Sequence, residues 1–158
     1  MTKYRSGFVS NSSSSSFIVI NSNPSKYSLK KSFTGQTFYI NGEDGETEFG
    51  WGPETISDTY SRINFAAIQA LYAENEHPEF KKMLERVIRK HTGAKGVAWR
   101  ISIEWSRTPE KGVKYNCYID HQSAYTEGSN IGMFESEQTL KNFLFGEGSY
   151  IELDNDNR

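Results

Sequence analysis

The sequence predicts an α+β fold, a single domain over residues 1–158 in which about three helices cover one face of a largely antiparallel mixed sheet. Three observations lead to it. Strand-type apolar runs stand near both ends of the chain, two helical patterns follow one another between Ser57 and Gly93, and a period of two takes over from Val97. A chain of 158 residues buries roughly two-thirds of the surface its unfolded form exposes, so one core is expected.

Taken in order, Phe17-Ile-Val-Ile20 reads as a buried strand ended by the turn-rich Asn21-Ser-Asn-Pro-Ser25. Phe38-Tyr-Ile40 and Thr47-Glu-Phe-Gly-Trp51 flank a Gly- and Asx-rich connection, Asn41 to Gly45, which suits a hairpin. Pro53 and then Ser57 or Asp58 introduce a helix in which Tyr60, Ile63, Ala67, Ala70 and Leu71 recur at helical spacing. Phe65, Ile68 and Tyr72 widen its apolar face, as expected of a central helix. Pro78 suits the first position of a second helix. Its core stripe is Phe80, Leu84, Val87, Ile88 and His91, and Gly93 is placed to end it. Lys81, Lys82, Glu85, Arg86, Arg89 and Lys90 form the opposite face and are expected in solvent, the basic ones near the C-terminus where the macrodipole favours them.

From Val97 the alternation places Val97, Trp99, Ile101, Ile103 and Trp105 on one side of a strand. Val113, Tyr115, Cys117 and Ile119 alternate in the same way after the loop Ser106 to Gly112, so a long antiparallel hairpin is the expected pairing. A third helix from Ser136 to Phe145 packs Leu140, Phe143 and Leu144 and stops at Gly146. Tyr150-Ile-Glu-Leu153 is a last strand, followed by a polar tail from Asp154 to Arg158.

Hydrophobic residues are only 35% of the chain, but ten Phe, nine Tyr and three Trp carry a large apolar area, so the core is expected to be rich in aromatic rings. Eighteen Lys and Arg against twenty Asp and Glu leave a net charge of −2, which gives no overall field to draw in nucleic acid or an anionic membrane. Neither partner is expected. The single cysteine, Cys117, excludes an internal disulfide and a cysteine-built zinc cluster and fits a reducing, cytoplasmic setting. No apolar stretch approaches the roughly 18 residues needed to span a bilayer, and the basic N-terminus lacks the apolar middle of a signal peptide. A soluble, unprocessed chain is the expectation.

Residues 1–16 form a distinct leading element, because five consecutive serines, Ser12, Ser13, Ser14, Ser15 and Ser16, run directly into Phe17. Such composition reads as a flexible segment, as an ordered strand whose hydroxyls bond locally to backbone, or as an element recognised or modified by a partner; all three stay open on sequence. The opening Arg5-Ser-Gly-Phe-Val-Ser-Asn-Ser-Ser-Ser-Ser-Ser-Phe17 is joined by Phe49-Gly-Trp51, Arg62-Ile-Asn-Phe-Ala66, Tyr118-Ile-Asp-His-Gln-Ser123 and Asn155-Asp-Asn157. Together these strings resemble a family of small proteins of tailed bacteriophages and of bacterial genomes that carry phage genes. The resemblance spans most of the chain. It implies phage origin and a portable N-terminal element, and it supplies no catalytic residues.

Asp120-His-Gln-Ser123 is the densest polar cluster with chemical potential, and it follows a strand, where a rigid base holds functional groups. Continued alternation would send Asp120 and His121 to opposite faces, which opposes a simple dyad. Satisfied by backbone, the pair would instead cap the loop from Ser123 to Asn130. Asp120 and His121 with Asp154 or Asp156 have the donor types of a zinc, manganese or iron site. Ser123 as a hydrolytic nucleophile lacks a Gly-x-Ser-x-Gly elbow. The glycines Gly42, Gly45, Gly50 and Gly52 lack the Lys-Ser or Lys-Thr of a phosphate-cradling loop, and no cofactor is expected.

Two principal readings follow. The preferred one is a non-enzymatic phage accessory protein that binds a host or phage protein, with Ser12 to Ser16 as the interaction element. The alternative is a metal-assisted hydrolase centred on Asp120 and His121. A minor virion component is a third.

Overall fold

The computed structural model describes residues 2–5, 14–50, 53–103, 115–119 and 132–155. In chain order its elements are β1 (Thr2–Arg5), β2 (Ser14–Ile20), β3 (Thr37–Ile40), β4 (Glu48–Phe49), β5 (Glu54–Ile56), α1 (Thr59–Tyr72), α2 (Glu79–Thr92), β6 (Gly96–Trp99), β7 (Ile101–Ser102), β8 (Tyr115–Asn116), β9 (Tyr118–Ile119), a 3-10 turn (Gly132–Phe134), α3 (Glu137–Phe145) and β10 (Tyr150–Asn155). Helices and strands are combined as expected of one α+β domain.

The two ends of the chain meet in a four-stranded antiparallel sheet of order β1-β2-β10-β5. Phe17 to Ile20 are all buried, as the apolar run predicts: Ile18 and Ile20 join the main core, and Phe17 and Val19 are covered on the other side of the strand. Ile151 and Leu153 of β10 enter the same core. The serines do not end where the apolar run begins, because Ser14–Ser16 are the first part of β2 and stand opposite Asn155, Asp154 and Leu153. Asp154 and Asn155, expected in a polar tail, are therefore strand residues.

Both expected hairpins are replaced by parallel pairs. β3 pairs with β6, β7 with β8 and β4 with β9, each in parallel. The reason lies in the connections. An antiparallel pair is closed by a short turn, whereas a parallel pair needs a crossover of a dozen or more residues, and α1 with α2 supplies it between β3 and β6. Residues 103–114 are long enough to do the same between β7 and β8. The Arg100 N–H donates to Ile40 O at 2.8 Å, Cys117 N–H to Ser102 O at 2.7 Å and Tyr118 N–H to Thr47 O at 2.9 Å, so the short ladders run on from one another.

Helix α1 starts at an Asp58 cap whose carboxylate accepts from Ser61 N–H at 2.8 Å, one of the orphan donors of a helix start. Every residue from Ser61 to Ala70 is buried, which makes it the central helix. Phe65 on it packs edge-to-face against Phe49 of β4, with ring centroids 5.2 Å apart, and also meets Phe143 of α3. Helix α2 has Pro78 at its cap, one position before the expected one, and ends at Gly93, where φ is 79°. A Cβ there would lie 2.7 Å from Thr34 Oγ1, so glycine is required both by conformation and by space. Ser136 caps α3 by accepting from Thr139 N–H at 3.0 Å.

The polar face of α2 is not simply solvated. Lys81 pairs with Glu74 and lies over the Trp99 ring, Glu85 accepts from Trp99 Nε1 at 2.8 Å, and Arg86 and Lys90 both bond Glu137 of α3. The half-buried Trp99 gains a partner for its N–H in this way, which a purely apolar pocket would deny it. No helix among the described residues is long and apolar enough to cross a membrane.

Candidate functional site

The polar cluster of Asp120, His121 and Ser123 lies outside the described residues, as do Ser12, Ser13 and Asp156; β9 ends at Ile119, immediately before the cluster. Asp154 is placed in β10 opposite Ser15. Among the described residues no three His, Cys, Asp or Glu side chains are grouped so as to hold a metal ion. Cys117 is buried, and burial pushes its thiol up to about 12, which keeps it protonated and unreactive.

The serine stretch has a defined backbone setting. β10 pairs with the whole of β2 from Ser14 to Val19, whereas β1 pairs with it only from Phe17 to Ile20. Among the described residues, Ser14–Ser16 therefore have a strand neighbour on one side only.

A second feature was not legible as a motif. The turn 27–36 folds over the C-terminal end of α2: Lys31 N–H donates to His91 O at 3.0 Å, Phe33 N–H to Thr92 O at 2.9 Å and Gly35 N–H to Gly93 O at 3.3 Å. These bonds satisfy carbonyls that a helix end leaves unpaired. Leu29 and Lys31 both have φ of 55°, a left-handed conformation that is uncommon for side chains of their size. The turn, the last turn of α2 and the N-terminal half of α3 border a half-open cavity of about 270 Å³ lined by Lys30, Lys31, Lys90, His91, Glu137 and Lys141, among others.

His91 is the buried member of this group, at 7% exposure. Its Nε2 lies 2.7 Å from the carbonyl oxygen of Ser28, which can only accept, so the proton sits on Nε2. Its ring stacks on Phe145 at 4.1 Å. Burial lowers its pKa below the usual histidine value, the Ser28 carbonyl opposes that shift, and Lys141 and Lys30 add to it by repulsion. The imidazole is thus neutral at pH 7 in a locally cationic setting. Glu137 is the carboxylate of the cavity, held below its ordinary pKa by Arg86 and then Lys90. Lys141 stands over the Tyr27 ring at 4.6 Å, and among the described residues neither it nor Lys30 nor Lys31 is in an ion pair.

On the other side of the same turn, Arg62 of α1 is only 4% exposed. Its Nη1 donates to Phe143 O at 2.7 Å and to Gly146 O at 2.8 Å, so a guanidinium closes the C-terminal end of α3. Burial lowers its pKa to about 10, with Asp58 opposing the shift, and it stays charged at neutral pH. Its Nε is buried and has no hydrogen-bond partner among the described residues. In the sequence Arg62 stands only as the head of the string Arg62-Ile-Asn-Phe-Ala66. The available signal was a lone cation heading the buried run from Ile63 to Ala70.

No family model, no curated protein and no solved structure matches the chain.

Proposed function

We propose that this protein is a non-catalytic accessory protein of phage origin that acts by binding a host or phage protein through the serine-bearing end of its sheet. One observation supports the reading above the others. Ser14–Ser16 continue β2 beside β10 as strand, with β1 reaching only as far as Phe17. Among the described residues that side of the strand has no neighbour, and a strand side of this kind offers backbone N–H and C=O groups to a segment of another chain. The phage origin rests on the strings that carry the family resemblance.

The test is affinity capture from infected cells with the full chain and with a Ser14→Lys/Ser16→Lys chain, since edge lysines discourage added strands. Loss of the same partner from the variant, with an unchanged thermal unfolding midpoint, is the expected result. Equal recovery by both chains would overturn the proposal.

A further inference from the structure

The cavity between the turn 27–36, α2 and α3 differs in character from the serine strand. It concentrates Lys30, Lys31, Lys90 and Lys141 in a protein whose net charge is −2, and Glu137, the one carboxylate among the described residues that line it, already serves Arg86 and Lys90. Like charges brought together around a cavity repel one another unless an anion lies between them. The helix ends reinforce that preference. The carbonyls at the C-terminus of α2 are occupied by the N–H groups of Lys31, Phe33 and Gly35, so the negative end of that dipole is covered. The first turn of α3, with Glu137 and Gln138, lines the cavity and brings the positive end of its own dipole to it.

We infer that this cavity binds a phosphate monoester, with Lys30, Lys31 and Lys141 as its cationic contacts and His91 as its buried wall. A doubly charged tetrahedral anion matches the charge count better than a carboxylate, which would leave the site strongly cationic. Lysines suit it because they act as point charges on rotatable donors. At about 270 Å³ the cavity lies below the usual range for drug-sized ligands and suits a phosphate with few atoms beyond it. Among the described residues His91 commits only Nε2, to Ser28, so its Nδ1 is the ring atom that responds to a bound anion.

The test is an NMR titration of the full chain with inorganic phosphate in the millimolar range, reading the backbone amides and the His91 ring. Saturable shifts at Lys30, Lys31, His91 and Gln138 are expected, with the His91 titration moved upward in pH when phosphate is bound. A Lys30→Gln/Lys141→Gln chain should bind at least about tenfold more weakly, whereas Lys95→Gln, which removes a charge outside the cavity, should match the parent. Dimethyl phosphate, a singly charged diester, should bind more weakly than phosphate. Glycerol phosphate and a short phosphoserine peptide then separate a free metabolite from a modified polypeptide as the source of the group. Failure of inorganic phosphate to saturate, equal losses in the two variants, or equal binding of the diester would each overturn the assignment.

Discussion

His91 donates from Nε2 to the carbonyl oxygen of Ser28 at 2.7 Å, tying the last turn of α2 to the turn that folds over it. The bond fixes the tautomer of a ring stacked on Phe145 and held neutral by burial, with Lys141 and Lys30 acting in the same direction. The unfolded chain takes up a proton at this histidine near pH 6.5, and the folded chain does so only at a lower pH. Between those two values the unfolded state binds more protons. The stability due to His91 is therefore whole above pH 6.5 and is lost as the pH falls through the folded-state value. Unfolding free energies from urea titrations at pH 7.5 down to pH 5 should decline in the parent. They should decline less steeply in His91→Phe, by at most about 1.4 kcal/mol per pH unit. Glu137, the carboxylate of the same group, is held below 4.5 and leaves this window to the histidine.

Gly93 ends α2 with φ of 79° and with Thr34 close above it. Alanine at this position has to adopt a left-handed conformation, which costs about 1–2 kcal/mol, and to displace Thr34 as well. Gly93→Ala should lower the unfolding free energy by about 2 kcal/mol. In the double variant with Thr34→Ala the clash with Oγ1 is gone but the conformational cost remains, so stability should recover only in part. Full recovery would show that the conformation of residue 93 costs nothing.

Local signals made much of the fold legible. Gly93 and the apolar run Phe17 to Ile20 act within a few residues and lie where the pattern placed them, Asp58 is one of the two helix starts it offered, and Ser136, read as the start of α3, is its cap. Strand direction was not legible. Phe38 to Ile40 and Val97 to Trp99 carry the same alternation whether parallel or antiparallel, and the choice was made by the helices between them. The lysine cavity was hidden for a similar reason. Lys30 and Lys31 sit beside Lys90 and Lys141 only because backbone N–H groups of the 27–36 turn seek the open carbonyls of α2. His91 was readable as a core position, and the charges around it were not.

Arg62 binds the carbonyls of Phe143 and Gly146 with one nitrogen, both bonds out of contact with water. Methionine fills a similar volume but takes the donor from Phe143 O, at a cost of about 1–3 kcal/mol, and leaves Gly146 O with only the long Ser149 N–H contact at 3.4 Å. Arg62→Met should destabilise the protein by about 2–4 kcal/mol, with hydrogen exchange in the last turn of α3 accelerated more than in α2. Uniform acceleration across both helices would mean that Arg62 contributes to the core as a whole and not to that helix end.

Phe65 joins three parts of the chain. It is fully buried on α1, packs edge-to-face against Phe49 of β4 at 5.2 Å and meets Phe143 of α3 at 6.4 Å. Truncation to alanine removes a large buried ring and leaves a cavity that the rigid helix cannot collapse to fill, at a cost of about 3–5 kcal/mol. Phe65→Leu keeps most of the volume and loses the ring contacts, so its cost should be smaller, about 1–2 kcal/mol. The same two substitutions at Phe49 should follow that order. Because Phe49 and Phe65 touch, the double alanine variant should cost less than the sum of the single ones. Strict additivity in denaturant unfolding would show that the two rings do not share one packing site and that β4 is held to α1 by other contacts.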